Sequence, residues 1–173
     1  DLWFLYTGGT TGMPKAVMWE QRGLLGGMDS TFRPFGMAVP ATVDEVVAAA
    51  RAIAAQGTEV RQLAASPLMH GTASISSKGT LTHGGLVVTL PSRSFDADEM
   101  CRPYDLSSLR SVISSGIMWS EEIKQELLRR HPVTLVDILG SSEGSGMARQ
   151  IASRKHKATT ARFQLSANSR VFT

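Results

Sequence analysis

Short apolar runs recur along this chain, and each is bounded by glycine, proline, serine or charged residues. Runs of this length and composition are typical of strands that are buried in a sheet. Six of them predict strands, at Leu2–Tyr6, Ala16–Trp19, Val60–Ala65, 84–91, 108–116 and Thr134–Leu139.

Two other segments carry apolar residues at helical spacing. In 42–57, Thr42 and Glu45 form a capping box, and Gly57 marks the end of the helix. In Ser120–Arg130, acidic residues occupy the first turn and basic residues the last, as the helix dipole favours. Strands that alternate with helices in this way predict an α/β fold, a layered sheet with helices, and largely parallel strand pairing.

Composition places the chain among globular proteins. Its 173 residues are 42% hydrophobic and 19% charged, so one domain can bury a core. No apolar run approaches the roughly 20 residues that span a bilayer, so no membrane span is expected. The single cysteine, Cys101, cannot form an internal disulfide, which predicts a reducing, cytoplasmic location. Because a strand pattern starts directly at Asp1, we expect a piece of a longer protein.

Charge is distributed unevenly along the chain. The net charge is +3, but no acidic residue follows Glu143. The basic residues beyond that position are Arg149, Arg154, Lys155, Lys157, Arg162 and Arg170. Such a segment can bind nucleic acid or a polyphosphate. The stretch 153–162 has no aromatic side chains on which bases could stack, so we expect a solvated segment and no nucleic-acid partner.

The stretch "YTGGTTGMPKAVMW" joins the first two predicted strands. Of the nine residues from Thr7 to Lys15, seven are glycine, threonine or lysine. Glycine lets backbone N–H groups approach an anion closely, and hydroxyl groups and an ammonium add further donors. The composition therefore predicts a loop that binds phosphate groups.

The Walker phosphate-binding motif does not describe this loop. Gly12 is followed by Met13 and Pro14 before Lys15, and Ala16 comes next. The motif needs a lysine directly after its last glycine, and then a hydroxyl residue that binds Mg²⁺.

A serine-hydrolase interpretation rests on "GSSEG" (140–144), which matches G-x-S-x-G with Ser142 as the nucleophile. That fold requires an acidic residue and then a histidine further along the chain. His156 is present, but no acid follows Glu143, so the triad is incomplete and this alternative is disfavoured.

Four stretches, in this order, resemble the adenylate-forming superfamily, which includes acyl-CoA synthetases, luciferases and peptide-synthetase adenylation domains. They are "YTGGTTGMPKAVMW", "SPLMHG", "YDLSSLRSVISSGIMWS" and "DILGSSEG". These stretches are most similar in sequence to bacterial fatty-acyl-CoA and steroid side-chain acyl-CoA synthetases. The resemblance implies the central part of the family's large domain, with 1–173 as a partial AMP-binding domain and 144–173 as a poorly matched basic segment.

The resemblance implies a role for each matched residue. The β- and γ-phosphates of ATP would be held by Thr7, Gly8, Gly9, Thr10, Thr11, Gly12 and Lys15. The adenine would be surrounded by Gly116, Ile117, Met118, Asp137, Leu139 and Gly140. Ser142 would contact the α-phosphate, Glu143 would coordinate Mg²⁺, and His70 with Gly71 would border the acyl channel. Lys15, Ser142 and Glu143 would form the catalytic set.

The implied function is that of an acid–thiol ligase. A carboxylate attacks the α-phosphorus of ATP, pyrophosphate leaves, and the acyl-adenylate then reacts with the thiol of coenzyme A. The ligands that follow are a fatty or steroid-side-chain acid, ATP, Mg²⁺ and coenzyme A. A second copy of the chain, as a homodimer, is the protein partner considered.

Several features depart from the family pattern. Ala16 stands where glycine is usual, and Leu139 stands where an aromatic residue stacks on adenine. Between Met100 and Cys101 the family has a helix, a strand and another helix that are almost absent here. The ribose-binding acid and the C-terminal lid lysine have no counterpart, so we expect this chain alone to form no thioester. A non-catalytic nucleotide-binding or structural remnant therefore stays open as the alternative.

Overall fold

Strands and helices alternate along the chain, which confirms the α/β class. The computed structural model describes residues 1–7, 12–26, 31–89, 105–157, 159–166 and 169–170. The chain divides into two units, Asp1–Met100 and Cys101–Thr173. The shortened junction at Met100 and Cys101 lies outside the described residues. Within those residues, no helix has both the length and the apolar character needed to cross a bilayer.

The first unit contains two small sheets and several helices. Its elements are β1 (Leu2–Thr7), β2 (Lys15–Glu20), α1 (Gln21–Gly26), a 3₁₀ turn (Arg33–Phe35), α2 (Val43–Ala55), β3 (Arg61–Leu63), α3 (Gly71–Thr82) and β4 (Leu86–Val88). Strands β1 and β2 pair antiparallel as a hairpin. Strands β3 and β4 pair parallel, and α3 is the crossover that a parallel pair requires.

The N-terminal cap predicted for α2 is confirmed at Thr42, while Glu45 pairs with the residue before the cap. Thr42 Oγ1 accepts a hydrogen bond from the backbone N–H of Glu45 over 3.3 Å. The Glu45 carboxylate accepts one from the backbone N–H of Ala41 over 2.7 Å. Gly57 follows the helix with φ = +63°, a conformation that favours glycine. The end signals in the sequence therefore fix this helix at both termini.

Helix α3 is not evident from the sequence because its buried side is small and polar instead of apolar. Its buried residues include Ser77, Gly79 and Thr80. Thr80 Oγ1 donates to Gln62 Oε1 over 2.6 Å, and Gln62 Nε2 donates to Ser76 Oγ over 2.9 Å. These hydrogen bonds join α3 to β3. Because polar side chains make this contact, the sequence of α3 shows little hydrophobic periodicity.

The second unit is a four-stranded mixed sheet with one flanking helix in its described residues. Its elements are β5 (Ser111–Ser115), α4 (Glu121–Arg130), β6 (Thr134–Ser141), β7 (Gly144–Ala152) and β8 (Gln164–Leu165). The strand order is β5-β6-β7-β8. Only β5 and β6 pair parallel, while the other neighbours in this sheet are antiparallel.

The expectation of largely parallel pairing is therefore wrong. Among the strand pairs in the described part of the chain, β1–β2, β6–β7 and β7–β8 are antiparallel. A turn of two residues, Ser142 and Glu143, joins β6 to β7, and so short a link connects only antiparallel strands. The sequence pattern did not predict β7.

The core of the second unit lies between α4 and the sheet. Leu128, Val133, Leu135 and Ala152 are buried there. Ser120 caps α4 by accepting a hydrogen bond from the backbone N–H of Ile123 over 3.4 Å. The basic segment is also partly ordered against this helix, since Arg154 Nε donates to the backbone oxygen of Leu128 over 2.8 Å. Arg154, Lys155 and Lys157 are nevertheless exposed, in agreement with a solvated segment.

Candidate functional site

Thr7 and Lys15 form the base of the glycine-rich loop. They are the last pair of the β1–β2 hairpin, and Thr7 Oγ1 donates to the backbone oxygen of Lys15 over 3.2 Å. Lys15 is exposed, as are Gly12 and Met13 on the loop. Gly12 has φ = +153°, a conformation that side chains rarely adopt. The hairpin thus holds the two ends of the loop together, with an exposed cation at one end.

The remaining predicted phosphate-binding residues, Gly8, Gly9, Thr10 and Thr11, lie outside the described residues. Their assignment stays a prediction.

His70 and Gly71 lie at the N-terminus of α3, which packs against the hairpin. A Cβ atom on Gly71 would lie 3.1 Å from Leu5 Cδ2, so glycine accommodates the close approach of α3 to β1 without displacing that leucine. His70 is exposed and does not cap the helix with its side chain. The role of both residues beside an acyl channel stays a prediction, while the packing role of Gly71 is evident.

The loop 116–118 and the end of β6 lie at the same edge of the second unit's sheet. Ser115 and Ile138 are the last pair of the parallel β5–β6 ladder, and Gly116 and Leu139 follow them directly. Gly116 turns the chain with φ = +86°. The carboxyl ends of parallel strands are where open α/β sheets commonly bind ligands. The structure therefore brings two of the predicted adenine-binding segments together.

The side chains at this edge are apolar and exposed. Ile117 is 80% exposed, Met118 is 68% exposed and Leu139 is 50% exposed. Such side chains can pack against the faces of a flat, largely apolar ring, and removing them from water is favourable. The arrangement is therefore chemically suited to a nucleobase.

Ser142 and Glu143 form the turn between β6 and β7. Ser141 pairs with Gly144 across this turn, and the Glu143 side chain is exposed. The described residues contain no group of three or more histidine, cysteine, aspartate or glutamate residues that could hold a metal. Protein sites for Mg²⁺ often use one or two carboxylates together with the phosphates of a substrate. An exposed glutamate at this turn fits that kind of site.

Asp137 differs from the other predicted adenine-binding residues because its side chain is buried. It is 3% exposed, and Lys124 Nζ donates to Asp137 Oδ2 over 3.0 Å. The Asp137 carboxylate is thus paired with Lys124 in the interior of the unit. A direct contact between Asp137 and adenine stays a prediction.

Sequence reasoning did not single out Lys124. Its position is four residues before the buried Leu128 and therefore on the same face of α4. That spacing was the available signal, but a lysine between glutamates is ordinarily read as a solvent-facing residue.

The local structure around Ser142 excludes the nucleophile elbow of α/β-hydrolases. That elbow is a turn from a strand into a helix. Ser142 instead lies in a turn between two antiparallel strands. His156 Nδ1 lies 3.1 Å from Ser153 Oγ, within its own turn. The topology at Ser142 therefore rules out the disfavoured hydrolase interpretation.

Known protein families provide further evidence about the family to which this chain belongs. The profile of the family described as AMP-binding enzyme matches residues 2–102, which include the β1–β2 hairpin, its loop and α3. The chain therefore belongs to the AMP-binding enzyme family.

Several curated relatives of this chain are acyl-CoA ligases. The chain is 34% identical to the medium-chain acyl-CoA ligase Mig of Mycobacterium avium, a match that covers 83% of this chain and 31% of that protein. It is 32% identical to the medium/long-chain-fatty-acid–CoA/3-oxocholest-4-en-26-oate–CoA ligase of Mycobacterium marinum, over 83% of this chain and 30% of the relative. It is 30% identical to the 3-oxocholest-4-en-26-oate–CoA ligase of Rhodococcus rhodochrous, over 83% of this chain and 31% of that protein.

These matches confirm the resemblance to fatty-acyl-CoA and steroid side-chain acyl-CoA synthetases. They also define its extent, because the chain spans about three tenths of the length of these relatives.

Proposed function

We propose that this chain is the nucleotide-binding part of an ATP-dependent acid–thiol ligase. The ligase activates a fatty or steroid-side-chain acid as an acyl-adenylate and then transfers the acyl group to coenzyme A. The observation that carries the proposal is the β1–β2 hairpin, which closes a glycine- and threonine-rich loop between Thr7 and Lys15 inside the family match. The names of the relatives, all acyl-CoA ligases, support the same reaction.

In the first unit, the loop binds the β- and γ-phosphates of ATP. Backbone N–H groups around Gly8, Gly9 and Gly12 donate to phosphate oxygens, and the Lys15 ammonium adds a positive charge at the base of the loop. Because pyrophosphate is the leaving group, these donors stabilise the charge that develops on it in the transition state. His70 and Gly71 border the path of the acid.

In the second unit, Ile117, Met118 and Leu139 pack against the adenine. Ser142 would contact the α-phosphate, and the exposed Glu143 carboxylate would hold Mg²⁺. When bound, Mg²⁺ supplies charge neutralisation at the phosphates. The attacking carboxylate is already a nucleophile, so the first step requires no general base from this chain.

Further properties belong to the same proposal. The single Cys101 supports a reducing, cytoplasmic location. The exposed face of β1, with Leu2, Phe4 and Tyr6 at 51%, 46% and 67% exposure, supports self-association as a homodimer. Sedimentation of the chain and of its Phe4→Ser variant tests the second point, since an unchanged assembly state would rule out this face.

An acyl-adenylate analogue tests the proposed reaction on the chain itself. Dodecanoyl-sulfamoyladenosine, in which a sulfamoyl group replaces the phosphate, is compared with sulfamoyladenosine that lacks the acyl chain. Burial of each methylene contributes about 0.8 kcal/mol, so burial of a few of them gives at least about tenfold tighter binding. Equal affinities would overturn the acid-activating function and would favour a nucleotide-binding remnant.

A further inference from the structure

Lys124 occupies a core position in α4 that a hydrophobic residue would normally fill. Its side chain is 1% exposed, whereas that of the neighbouring Ile123 is 55% exposed. Removing an ammonium from water costs several kcal/mol unless the charge is paired and hydrogen-bonded. The helix therefore turns an isoleucine outward and a lysine inward, against the usual preference of both residues.

The Lys124 ammonium is fully engaged by groups from three other segments. It donates to Asp137 Oδ2 on β6 and to the backbone oxygen of Thr159, each over 3.0 Å. It also donates to Gln150 Oε1 on β7. Asp137 and Gln150 lie directly opposite each other in the β6–β7 ladder. Two of the lysine's three N–H donors thus bind α4 to one cross-strand pair, and the third binds it to the segment that contains Thr159.

A second set of contacts fixes the N-terminus of the same helix. Glu121 N–H donates to Thr160 Oγ1 over 2.7 Å, directly after the capping residue Ser120. The Trp119 ring lies 5.9 Å from Lys124 Nζ. Trp119 also packs against the core of the unit. The start of α4, which follows the loop 116–118, is therefore fixed by the hydrogen bond to Thr160 and by the packing of Trp119.

The contacts of Lys124 and of the helix start connect the loop 116–118 with the end of β6. These are the two segments that lie at the same edge of the sheet. The loop 116–118 leads directly into α4, and Leu139 lies two residues beyond Asp137 on β6. Apolar packing alone is not directional and permits a helix to shift along a sheet, whereas three hydrogen bonds donated by one ammonium define a single position.

We propose that Lys124 is a positioning residue for adenine binding: through Asp137 and Gln150 it fixes the loop 116–118 relative to Leu139 and Gly140. This inference rests on the proposed function of the same unit. It also explains why a costly buried charge is placed on α4. Lys124 does not contact the nucleotide, and its effect passes through the backbone at both ends of the adenine-binding edge.

The test compares Lys124→Met with Lys155→Met, which removes the same charge from an exposed position of the same unit. Amide resonances of Gly116 and Gly140 are recorded by NMR, and AMP and inorganic triphosphate are titrated into each protein. We expect both amides to shift in Lys124→Met only, and the Kd for AMP to rise at least about tenfold. The Kd for inorganic triphosphate, which contacts the loop of the first unit, is expected to stay within twofold.

A second variant keeps the test decisive if Lys124→Met loses stability. Because that variant leaves the Asp137 carboxylate buried without its cation, it is expected to unfold at lower temperature. Lys124→Met/Asp137→Asn removes both charges and is expected to recover thermal stability but not AMP affinity.

Three results would overturn the inference, and they separate it from the proposed function. Unchanged Gly116 and Gly140 amides in Lys124→Met would show that no repositioning occurs. A folded double variant that binds AMP within twofold of the wild type would show that the position of α4 is irrelevant to binding. Failure of the wild type itself to bind AMP would overturn the proposed function, and the adenine role of Lys124 with it.

Discussion

The Lys78 ammonium lies 3.2 Å from the centroid of the Trp3 ring, and this contact joins α3 to β1. Partial burial removes water from the Lys78 ammonium and lowers its pKa. Because β1 ends at Thr7, the contact stabilises the strand that leads into the glycine-rich loop. It therefore links the packing of the first unit to its candidate phosphate site.

Removal of this cation–π contact is expected to destabilise the first unit modestly. Such contacts contribute about 0.5–2 kcal/mol, depending on how far they are desolvated. A double-mutant cycle of Lys78→Met and Trp3→Leu, followed by urea denaturation, isolates the coupling from the other contacts of each residue. A coupling free energy indistinguishable from zero would show that the ring and the ammonium are neighbours without a stabilising interaction.

His83 is expected to make the stability of the first unit depend on pH. It is 5% exposed, its ring lies 5.2 Å from that of Phe35 and 6.1 Å from that of Phe32, and its Nδ1 has no hydrogen-bond partner among the described residues. Burial lowers the pKa of His83. The unfolded chain then binds a proton at higher pH than the folded protein does, so stability falls as the pH drops below about 6.5.

The measurement is the melting temperature between pH 7.5 and 5.5. We expect His83→Phe to reduce the loss of stability over this range, whereas His70→Ala, at an exposed histidine of the same unit, leaves it unchanged. Identical pH profiles for the wild type and His83→Phe would contradict the account of this residue.

Glu126 is expected to titrate far below an ordinary glutamate. Hydrogen bonds from Arg129, over 2.8 and 3.0 Å, and from Arg130, over 2.7 Å, lower its pKa from 4.5 to about 2. Its contribution to stability is thus present above pH 4.5 and is lost as the pH falls towards 2. An NMR titration of the carboxyl carbon measures this directly.

The control for Glu126 is the double variant Arg129→Gln/Arg130→Gln, in which the pKa is expected to return towards 4.5. Because the Glu126 side chain is partly exposed to solvent, added salt should raise its pKa in the wild type as well. A wild-type midpoint near 4.5 at low salt would rule out the arrangement of the three side chains.

The 173-residue chain is expected to form no acyl-CoA on its own. It spans about three tenths of the length of its relatives, and no residue in it matches the lid lysine of the family it resembles. Loss of a preorganised contact to a reacting group lowers the rate by about 10²–10³. Thioester formed from ATP, Mg²⁺, coenzyme A and a panel of fatty and steroid acids, above the level of a Glu143→Gln variant, would contradict this expectation.

The sequence predicted those elements whose signals are local. The capping residue Thr42 located α2, the acidic first turn and basic last turn located α4, and the glycine-rich loop was placed between two strands. Helix α3 was missed because Gln62 and Thr80 dock it through hydrogen bonds, which leave no apolar stripe. Strand β7 was missed because its pairing with β6 depends on a two-residue turn without a characteristic turn sequence.

Side-chain direction was the least predictable property of the candidate site. Residue type favours Ile123 for the core and Lys124 for solvent, and the structure has the opposite arrangement. Three partners that are distant in sequence, Asp137, Gln150 and Thr159, make the buried lysine favourable. No local pattern contains that information.

The most direct test of the central claim is calorimetric titration of ATP in the presence of Mg²⁺ into the wild-type chain and into Lys15→Ala and Lys155→Ala. Both variants lose one exposed lysine, but only Lys15 lies at the base of the glycine-rich loop. Hydrogen bonds to charged groups contribute about 1.5–3 kcal/mol, so the account predicts at least about tenfold weaker binding for Lys15→Ala and an unchanged Kd for Lys155→Ala. Equal affinities of the wild type and Lys15→Ala, or no binding of ATP by the wild type, would contradict it.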